Sequence, residues 1–144
     1  MTKFILHGGI VAGQPQLLAE MSFFNEFIKD LPESAHILCV CAAEDPSRWE
    51  YLFKREQENM ATQTKSSTIK LELGANNVQQ LIEQIIQTDA VYLRGGLSNV
   101  LVKSTLMKVS KLRELLKNKV VAGSSAGAYV LARYYMSTKG IISK

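Results

Sequence analysis

The sequence predicts a doubly wound α/β domain, in which a mostly parallel sheet of about five strands lies between two layers of helices. Short apolar segments alternate with longer segments whose apolar residues recur at helical spacing. This alternation is typical of strand–helix units with a parallel sheet. Three predicted strands also run directly into glycine-rich turns, and ligands of such sheets bind at the carboxyl ends of the strands. At 144 residues, we expect one domain over 1–144.

The predicted elements follow one another in a regular order. Apolar runs predict strands at 3–7, 36–43, 68–73, 90–93 and 119–122. The alternation at 68–73 places that strand nearer the sheet edge. Apolar stripes predict helices from Pro15 to Leu31, from Ser47 to Met60, from Asn77 to Ile86, from Leu97 to Lys117 with a break near Ser104–Thr105, and from Ala126 to Tyr134.

Composition excludes several classes of protein. No apolar run has the length of a membrane span, and the first residues lack the apolar region of a signal peptide, so we expect a cytoplasmic protein without a membrane partner. Cys39 and Cys41 alternate within an apolar strand, which favours buried free thiols over a metal site. The basic residues after Leu101 fit the solvated face of one helix and lack a nucleic-acid motif, so no nucleic-acid partner is expected.

The most informative segment is 120–128, which reads VVAGSSAGA. An apolar run, a G-x-S-x-G motif and a helix-compatible segment follow one another there, which is the pattern of a nucleophile elbow. The spacing places Ser125, and not Ser124, at the nucleophile position. The N–H of Ala126 begins a helix and is a candidate donor to an oxyanion.

Two further glycine-rich turns follow predicted strands. They are His7-Gly8-Gly9 and Arg94-Gly95-Gly96. If their strands are neighbours of the strand before Ser125, the three loops converge on that serine.

At the elbow and at the segment 91–96, VYLRGG, the chain resembles the dipeptidase E and cyanophycinase family of serine peptidases. The resemblance implies a three-layer fold similar to flavodoxin and to class I glutamine amidotransferases. It implies Ser125 as the nucleophile, backbone donors to an oxyanion at Gly96, Leu97 and Ala126, small peptides as substrates, and no metal or organic cofactor. Leu97 stands where the family often has Asn, so only a backbone contribution is expected from it.

Arg94, His7, Gly8 and Gly9 are the candidate substrate-binding residues. The guanidinium of Arg94 could hold a substrate carboxylate by two hydrogen bonds, which suits N-terminal aspartyl dipeptides, the substrates that the resemblance implies. The alternative is an ion pair of Arg94 with Glu44 or Asp45. For His7, packing or shaping of the binding loop is favoured over a role as catalytic base, because an elbow requires its base on a later loop.

The expected catalytic relay is missing from the sequence. No His, Asp or Glu follows Ser125, whereas the family carries its histidine after the elbow. We therefore expect that the chain lacks the C-terminal part of the family domain and has little activity by itself; the alternative is a homologue that has lost the relay. The alternative is a non-catalytic module that binds a small anion or nucleotide at its glycine-rich loops. A further hypothesis is a homodimer that buries an unpaired edge of the sheet.

Overall fold

The computed structural model describes residues 1–8, 17–63, 68–132, 134–137 and 140–143. Its central sheet has five strands: β1 (Lys3–His7), β2 (His36–Val40), β3 (Lys70–Leu73), β4 (Ala90–Leu93) and β5 (Val120–Ser124). They lie in the order β1-β5-β4-β2-β3, and every neighbouring pair is parallel. The parallel five-stranded sheet is thus confirmed, as is the edge position of the third strand.

Helices cover the sheet on two faces. They are α1 (Leu17–Ile28), α2 (Trp49–Gln63), α3 (Val78–Gln87), α4 (Ser98–Leu101), α5 (Leu112–Leu115) and α6 (Ala126–Tyr129). On one face, aromatic and aliphatic side chains of α1 and α2, including Phe27 and Leu52, pack with Ile37 of the sheet. On the other face, Leu81 and Ile85 of α3 pack with Leu93. These two cores make the three-layer sandwich that the sequence predicts.

The starts of two helices follow from single side chains. Asn77 caps α3, because its side-chain oxygen accepts a hydrogen bond from the N–H of Gln80 at 3.1 Å. Ser47, with which the next predicted helix begins, is not the cap of that helix. Asp45 accepts from the N–H of Ser47 at 2.9 Å instead and begins a 3₁₀ turn, Pro46–Arg48, that leads into α2.

The predicted helix from Leu97 to Lys117 is broken near Ser104 and Thr105, as expected. Less of the segment is helical, however, than its apolar spacing predicts. Only α4, the 3₁₀ turn Leu106–Lys108 and α5 are helical there. Lys111, with φ of 55°, interrupts the segment because a left-handed residue cannot continue a helix. The basic side chains therefore do not share the face of one long helix.

The segment after Ser125 also differs from its prediction. The helix there ends at Tyr129, and two further strands follow, β6 (Tyr134–Ser137) and β7 (Gly140–Ser143). These strands form an antiparallel pair, so Tyr134 belongs to a strand and not to the predicted helix. No glycine or proline separates Tyr129 from Tyr134, so the sequence does not mark the change from helix to strand.

None of the helices in the described part of the chain has the length and apolar character that spanning a bilayer requires. Cys39 and Cys41 are both free and buried, as predicted. Phe4 and Leu6 of β1 are 53% and 55% exposed, although they belong to a strand of the central sheet. Their face of β1 is therefore much less covered than the corresponding face of β5, where Val121 is fully buried.

Candidate active site

Ser125 forms the corner between β5 and α6. Its backbone angles, φ 49° and ψ −119°, lie in a region that residues with a side chain rarely adopt. Its carbonyl accepts the N–H of Ala128 at 2.9 Å, and its own N–H donates to the carbonyl of His7 at 2.8 Å. A strained conformation persists only where its surroundings fix it, and these two bonds fix this one. The predicted strand–serine–helix corner is present.

The glycine at the end of the motif is required by close approach of two backbones. A Cβ built on Gly127 would lie 1.9 Å from the carbonyl oxygen of Leu93, at the end of β4. No side chain fits there, because the oxygen belongs to the main chain of Leu93 and the added Cβ would be attached rigidly to the main chain of Gly127. Gly127 therefore lets α6 begin directly against β4.

The three glycine-rich loops do converge. In the sheet, β5 lies between β1 and β4, and its residues Ser124 and Gly123 are paired with His7 and Leu93. The loop after β4 folds over the elbow, since a Cβ on Gly95 would lie 3.1 Å from the Cβ of Ser125. Gly8 follows β1 directly and is exposed, whereas Gly9 lies outside the described residues.

Two backbone N–H groups remain candidates for an oxyanion hole. Within the described residues, neither Gly96 nor Ala126 uses its N–H in a backbone hydrogen bond to another element. Leu97 differs, because its N–H donates to the carbonyl of Ala43 at 2.7 Å. That donor is already used, so it does not fit the predicted part in an oxyanion hole, and Gly96 is the candidate from this loop.

His7 is placed beside the elbow by the register of β1. Its ring packs against Phe23 of α1, with ring centroids 5.4 Å apart and an interplanar angle of 50°. Its carbonyl receives the N–H of Ser125. These contacts agree with the packing role that the sequence favours for His7. The second histidine, His36, begins β2 and therefore lies at the opposite edge of the sheet, with Nε2 2.7 Å from the carboxylate of Glu72.

Arg94 follows β4, but its side chain is held by acidic residues. Its Nε donates to Glu56 Oε1 at 2.9 Å, and its Nη1 donates to Glu44 Oε1 at 3.3 Å and to the carbonyl of Gly95 at 3.0 Å. Burial by itself would lower the pKa of Arg94, but the charge and hydrogen bond of Glu56 outweigh it and raise that pKa. The geometry favours the ion-pair alternative for Arg94, with Glu44 and not Asp45.

Sequence reasoning missed the part played by Glu56. This carboxylate is 6% exposed and lies on the inner face of α2, between Leu52 and Met60. An acid on the apolar stripe of a helix is a readable signal, because a buried carboxylate needs a cationic partner. Arg94, at a strand end, was the available partner.

The Arg94 ion pairs adjoin a buried group of titratable side chains. Burial, and then the charge of Glu56, hold the pKa of Tyr92 well above its usual value. A hydrogen bond with Cys41, together with burial, does the same to the Cys39 thiol. Tyr92 and Cys39 are therefore neutral near pH 7 and add no charge to the ion pairs of Arg94 with Glu44 and Glu56. Among the described residues, no cluster of three or more His, Cys, Asp or Glu could hold a metal ion.

Two solved structures have a fold similar to that of this chain. No curated protein sequence matches the chain. The fold is similar to that of a proposed peptidase E protein from Listeria monocytogenes EGD-e, with a TM-score of 0.66 and 15% identity over 93% of this chain and 63% of the other. It is also similar to that of a peptidase from an acI-B1 actinobacterium, with a TM-score of 0.56 and 17% identity over 94% of this chain and 59% of the other. The chain thus spans less than two thirds of the length of either protein.

At this level of identity the two structures show the fold alone. The family follows from the sequence, because the model of peptidase family S51 matches residues 4–143, which include the whole elbow. The chain belongs to peptidase family S51.

Proposed function

We propose that the protein is a serine-type peptidase that cleaves small peptides through an acyl-enzyme on Ser125. The observation that carries this proposal is the strained backbone of Ser125 at the corner between β5 and α6. A structural turn would gain nothing from strain at a serine, whereas a nucleophile must project above the strand ends to reach a substrate. Family S51 membership and the two peptidases of similar fold support the same reaction class.

In the proposed reaction, Ser125 Oγ attacks the carbonyl carbon of the scissile amide. Negative charge then develops on the carbonyl oxygen, where the N–H groups of Gly96 and Ala126 can donate to it. The C–N bond breaks, and the serine proton passes through a base to the leaving amine. A water molecule attacks the acyl-enzyme, releases the acid product and restores the serine hydroxyl.

The catalytic base is the part of this mechanism for which the sequence offers no evident residue. No His, Asp or Glu follows Ser125 in its sequence, and the ring of His7 is packed against Phe23. Without a positioned base, an elbow with its oxyanion donors retains only a small part of the rate of a complete triad. We therefore infer slow turnover for the chain as it stands.

Labelling with a fluorophosphonate tests the proposal directly. Slow labelling at Ser125 is expected, and Ser125→Ala should remove it. Ser124→Ala is the matched control, because Ser124 ends β5 in ordinary strand pairing with His7 and should not be needed. Labelling that survives in Ser125→Ala would refute Ser125 as the nucleophile. Fast stoichiometric labelling that is lost in His7→Ala would instead show that His7 supplies the base.

Preference for N-terminal aspartyl dipeptides is a finer proposal, which rests on Arg94. The ion pairs with Glu44 and Glu56 hold Arg94 at the active-site edge of the sheet, with its side chain 17% exposed. Hydrolysis of Asp-Leu and Ala-Leu during long incubation, by the native protein and by Arg94→Met, separates the possibilities. A loss confined to Asp-Leu supports a carboxylate contact, whereas equal losses leave Arg94 as a structural ion pair.

The alternative is a non-catalytic module that binds a small anion or nucleotide. Its candidate loop is 8–13, and of these residues only Gly8 is described. Nucleotide binding therefore stays a prediction, and a thermal-shift screen with nucleotides tests it, because saturating ligand raises the melting temperature of a binder.

A further inference from the structure

A cavity lies at the same edge of the sheet as the elbow, beyond the ends of β2 and β3. Its volume is about 550 Å³. The residues that give it chemical character are Glu44, Asn76, Asn99, Lys103, Ser104 and Lys108. It is thus built from the segments that follow β2, β3 and β4. A 2.6 Å hydrogen bond from the hydroxyl of Thr105 to Asn76 joins the segment after α4 to the loop after β3.

The polar groups of this cavity favour an anion. Among the described residues, no carboxylate lies within ion-pair distance of Lys103 or Lys108. Glu44 is the one acid in the lining, and its carboxylate is already bonded to Arg94 at 3.3 Å and to Arg48 at 3.1 Å. The two lysines are therefore cations without a local counter-charge.

Ser104 provides a second, independent indication of a ligand. Its Oγ is buried and has no hydrogen-bond partner within the described structure. Buried hydroxyl groups in folded proteins almost always have a partner. Ser104 lines the cavity, so rotation about its χ1 would turn this hydroxyl toward a carboxylate that also accepts hydrogen bonds from the two ammonium groups.

One loop connects the cavity to the elbow. Gly95 lies against Ser125, and the next residue, Gly96, lies against Ala43 and Glu44, where a Cβ would be 2.5 Å and 3.0 Å from their nearest atoms. In the sheet, β4 separates β5 from β2. Two strand spacings are about 10 Å, which is the length of about three residues of extended peptide.

We propose that this cavity binds a carboxylate, and that it is the subsite for an acidic residue about three positions from the scissile bond of a peptide. The carboxylate preference stands on the cavity alone, whereas the subsite assignment rests on the proposed peptidase function. An acidic residue at this subsite then strengthens the binding of peptides of about four residues or more, whereas a dipeptide whose scissile bond lies at Ser125 is too short to reach Lys103 and Lys108.

Binding is measured with the Ser125→Ala variant, so that no turnover is needed. Backbone amide NMR spectra are recorded during titration with acetyl-Ala-Ala-Ala-Glu-amide, and then with the Gln peptide of the same length. The Glu peptide is expected to shift the amides of Asn99 and Lys103–Thr105, and the Gln peptide is expected to bind at least about tenfold more weakly. Equal binding of both peptides, or no saturable binding of either, overturns the proposal.

Substitutions identify the site. Lys103→Met with Lys108→Met should weaken binding of the Glu peptide about tenfold, since two cationic contacts are lost. Lys117→Met is the matched control, because Lys117 is exposed and lies outside the cavity. Ser104→Ala should weaken binding without lowering the melting temperature, because the hydroxyl has no partner to lose. Equal effects of Lys117→Met and of the double variant would place binding elsewhere.

Succinate distinguishes a peptide subsite from a site for free small carboxylates. A peptide that spans the loop should also shift Gly96 and Ala126 and should slow fluorophosphonate labelling of native Ser125, whereas succinate should do neither. If succinate binds as tightly as the Glu peptide and the peptide leaves Gly96 and Ala126 unchanged, the subsite assignment is overturned. If Ser125 is not labelled but the Glu peptide still binds, the proposed peptidase function is refuted, whereas the carboxylate site is not.

Discussion

The backbone N–H of Ser125 donates to the carbonyl of His7, at 2.8 Å, one residue beyond the last paired residues of β1 and β5. The ladder between the two strands therefore extends to the corner residue itself. Because of this bond, the position of Ser125 depends on the sheet and not on a flexible loop. The same bond fixes the distance between the serine and the loop that begins at Gly8.

The strain at Ser125 predicts a gain in stability when its side chain is removed. Ser125→Gly should raise the free energy of unfolding by about 1 kcal/mol, because glycine adopts positive φ without strain. Ser124→Gly, in regular strand geometry, should lower it by about 0.5–1 kcal/mol. Urea denaturation measures both variants. If both lose stability, the backbone of Ser125 is not strained.

Gly127 should not tolerate even one methyl group. Gly127→Ala places a Cβ 1.9 Å from the carbonyl oxygen of Leu93, so either α6 or the end of β4 must move. We expect a loss of about 3 kcal/mol in the free energy of unfolding and loss of Ser125 labelling. Gly8→Ala is the control, because no atom of the described residues lies within 4 Å of the added Cβ, and its effect should stay below about 0.5 kcal/mol. Equal unfolding midpoints would contradict the close contact.

Because Glu56 forms an ion pair with Arg94, we expect Glu56 and Glu58, two acidic residues of α2, to contribute unequally to stability. Glu56→Ala leaves the partly buried guanidinium with Glu44 alone, so a loss of about 3 kcal/mol is expected. Glu58→Ala, on the exposed face of the same helix, should change stability by less than about 0.5 kcal/mol. Chemical denaturation of both variants provides the measurement. Small effects of similar size in both variants would show that the Arg94–Glu56 ion pair contributes little to the free energy of unfolding.

Asp45 predicts a pH dependence of stability. Hydrogen bonds from the hydroxyl and the N–H of Ser47 lower the pKa of this carboxyl group in the folded protein. Its contribution is therefore present above the unfolded value of about 3.9 and is lost as the pH falls through the lower folded value. Asp45→Ala should reduce the melting temperature at neutral pH, and the difference from the native protein should shrink below about pH 3. A difference that stays constant below that pH would exclude the carboxylate as the cause.

The sequence predicted the features that local patterns determine. Apolar runs identified all five strands of the central sheet, and the spacing of glycine and serine located the corner at Ser125. The convergence of three loops followed because strands that end in glycine were neighbours in the sheet. Each of these features depends on a few adjacent residues and on the general rules of parallel sheets.

Features that depend on distant contacts were not predictable in the same way. Arg94 and Glu56 are 38 residues apart, and only the fold shows that they meet. The left-handed residue Lys111 divides a segment whose apolar spacing looks helical throughout. The cavity near Lys103 is assembled from three separate loops, so no continuous motif marks it.

The exposed face of β1 carries the last prediction, which is self-association. Phe4 and Leu6 are each more than half exposed, and the outer edge of β1 pairs with no strand in the described part of the chain. Unpaired N–H and carbonyl groups beside apolar side chains favour pairing with another strand, and the same edge of a second copy is one such partner. We therefore expect sedimentation to show a dimer at micromolar concentration.

Leu6→Lys should shift this equilibrium to the monomer without a loss of stability, because the side chain is already exposed and lysines protect sheet edges. Tyr51→Lys is the matched control, since Tyr51 is 60% exposed but lies on α2, away from β1. A monomeric native protein, or equal dissociation by both variants, would rule out pairing at β1.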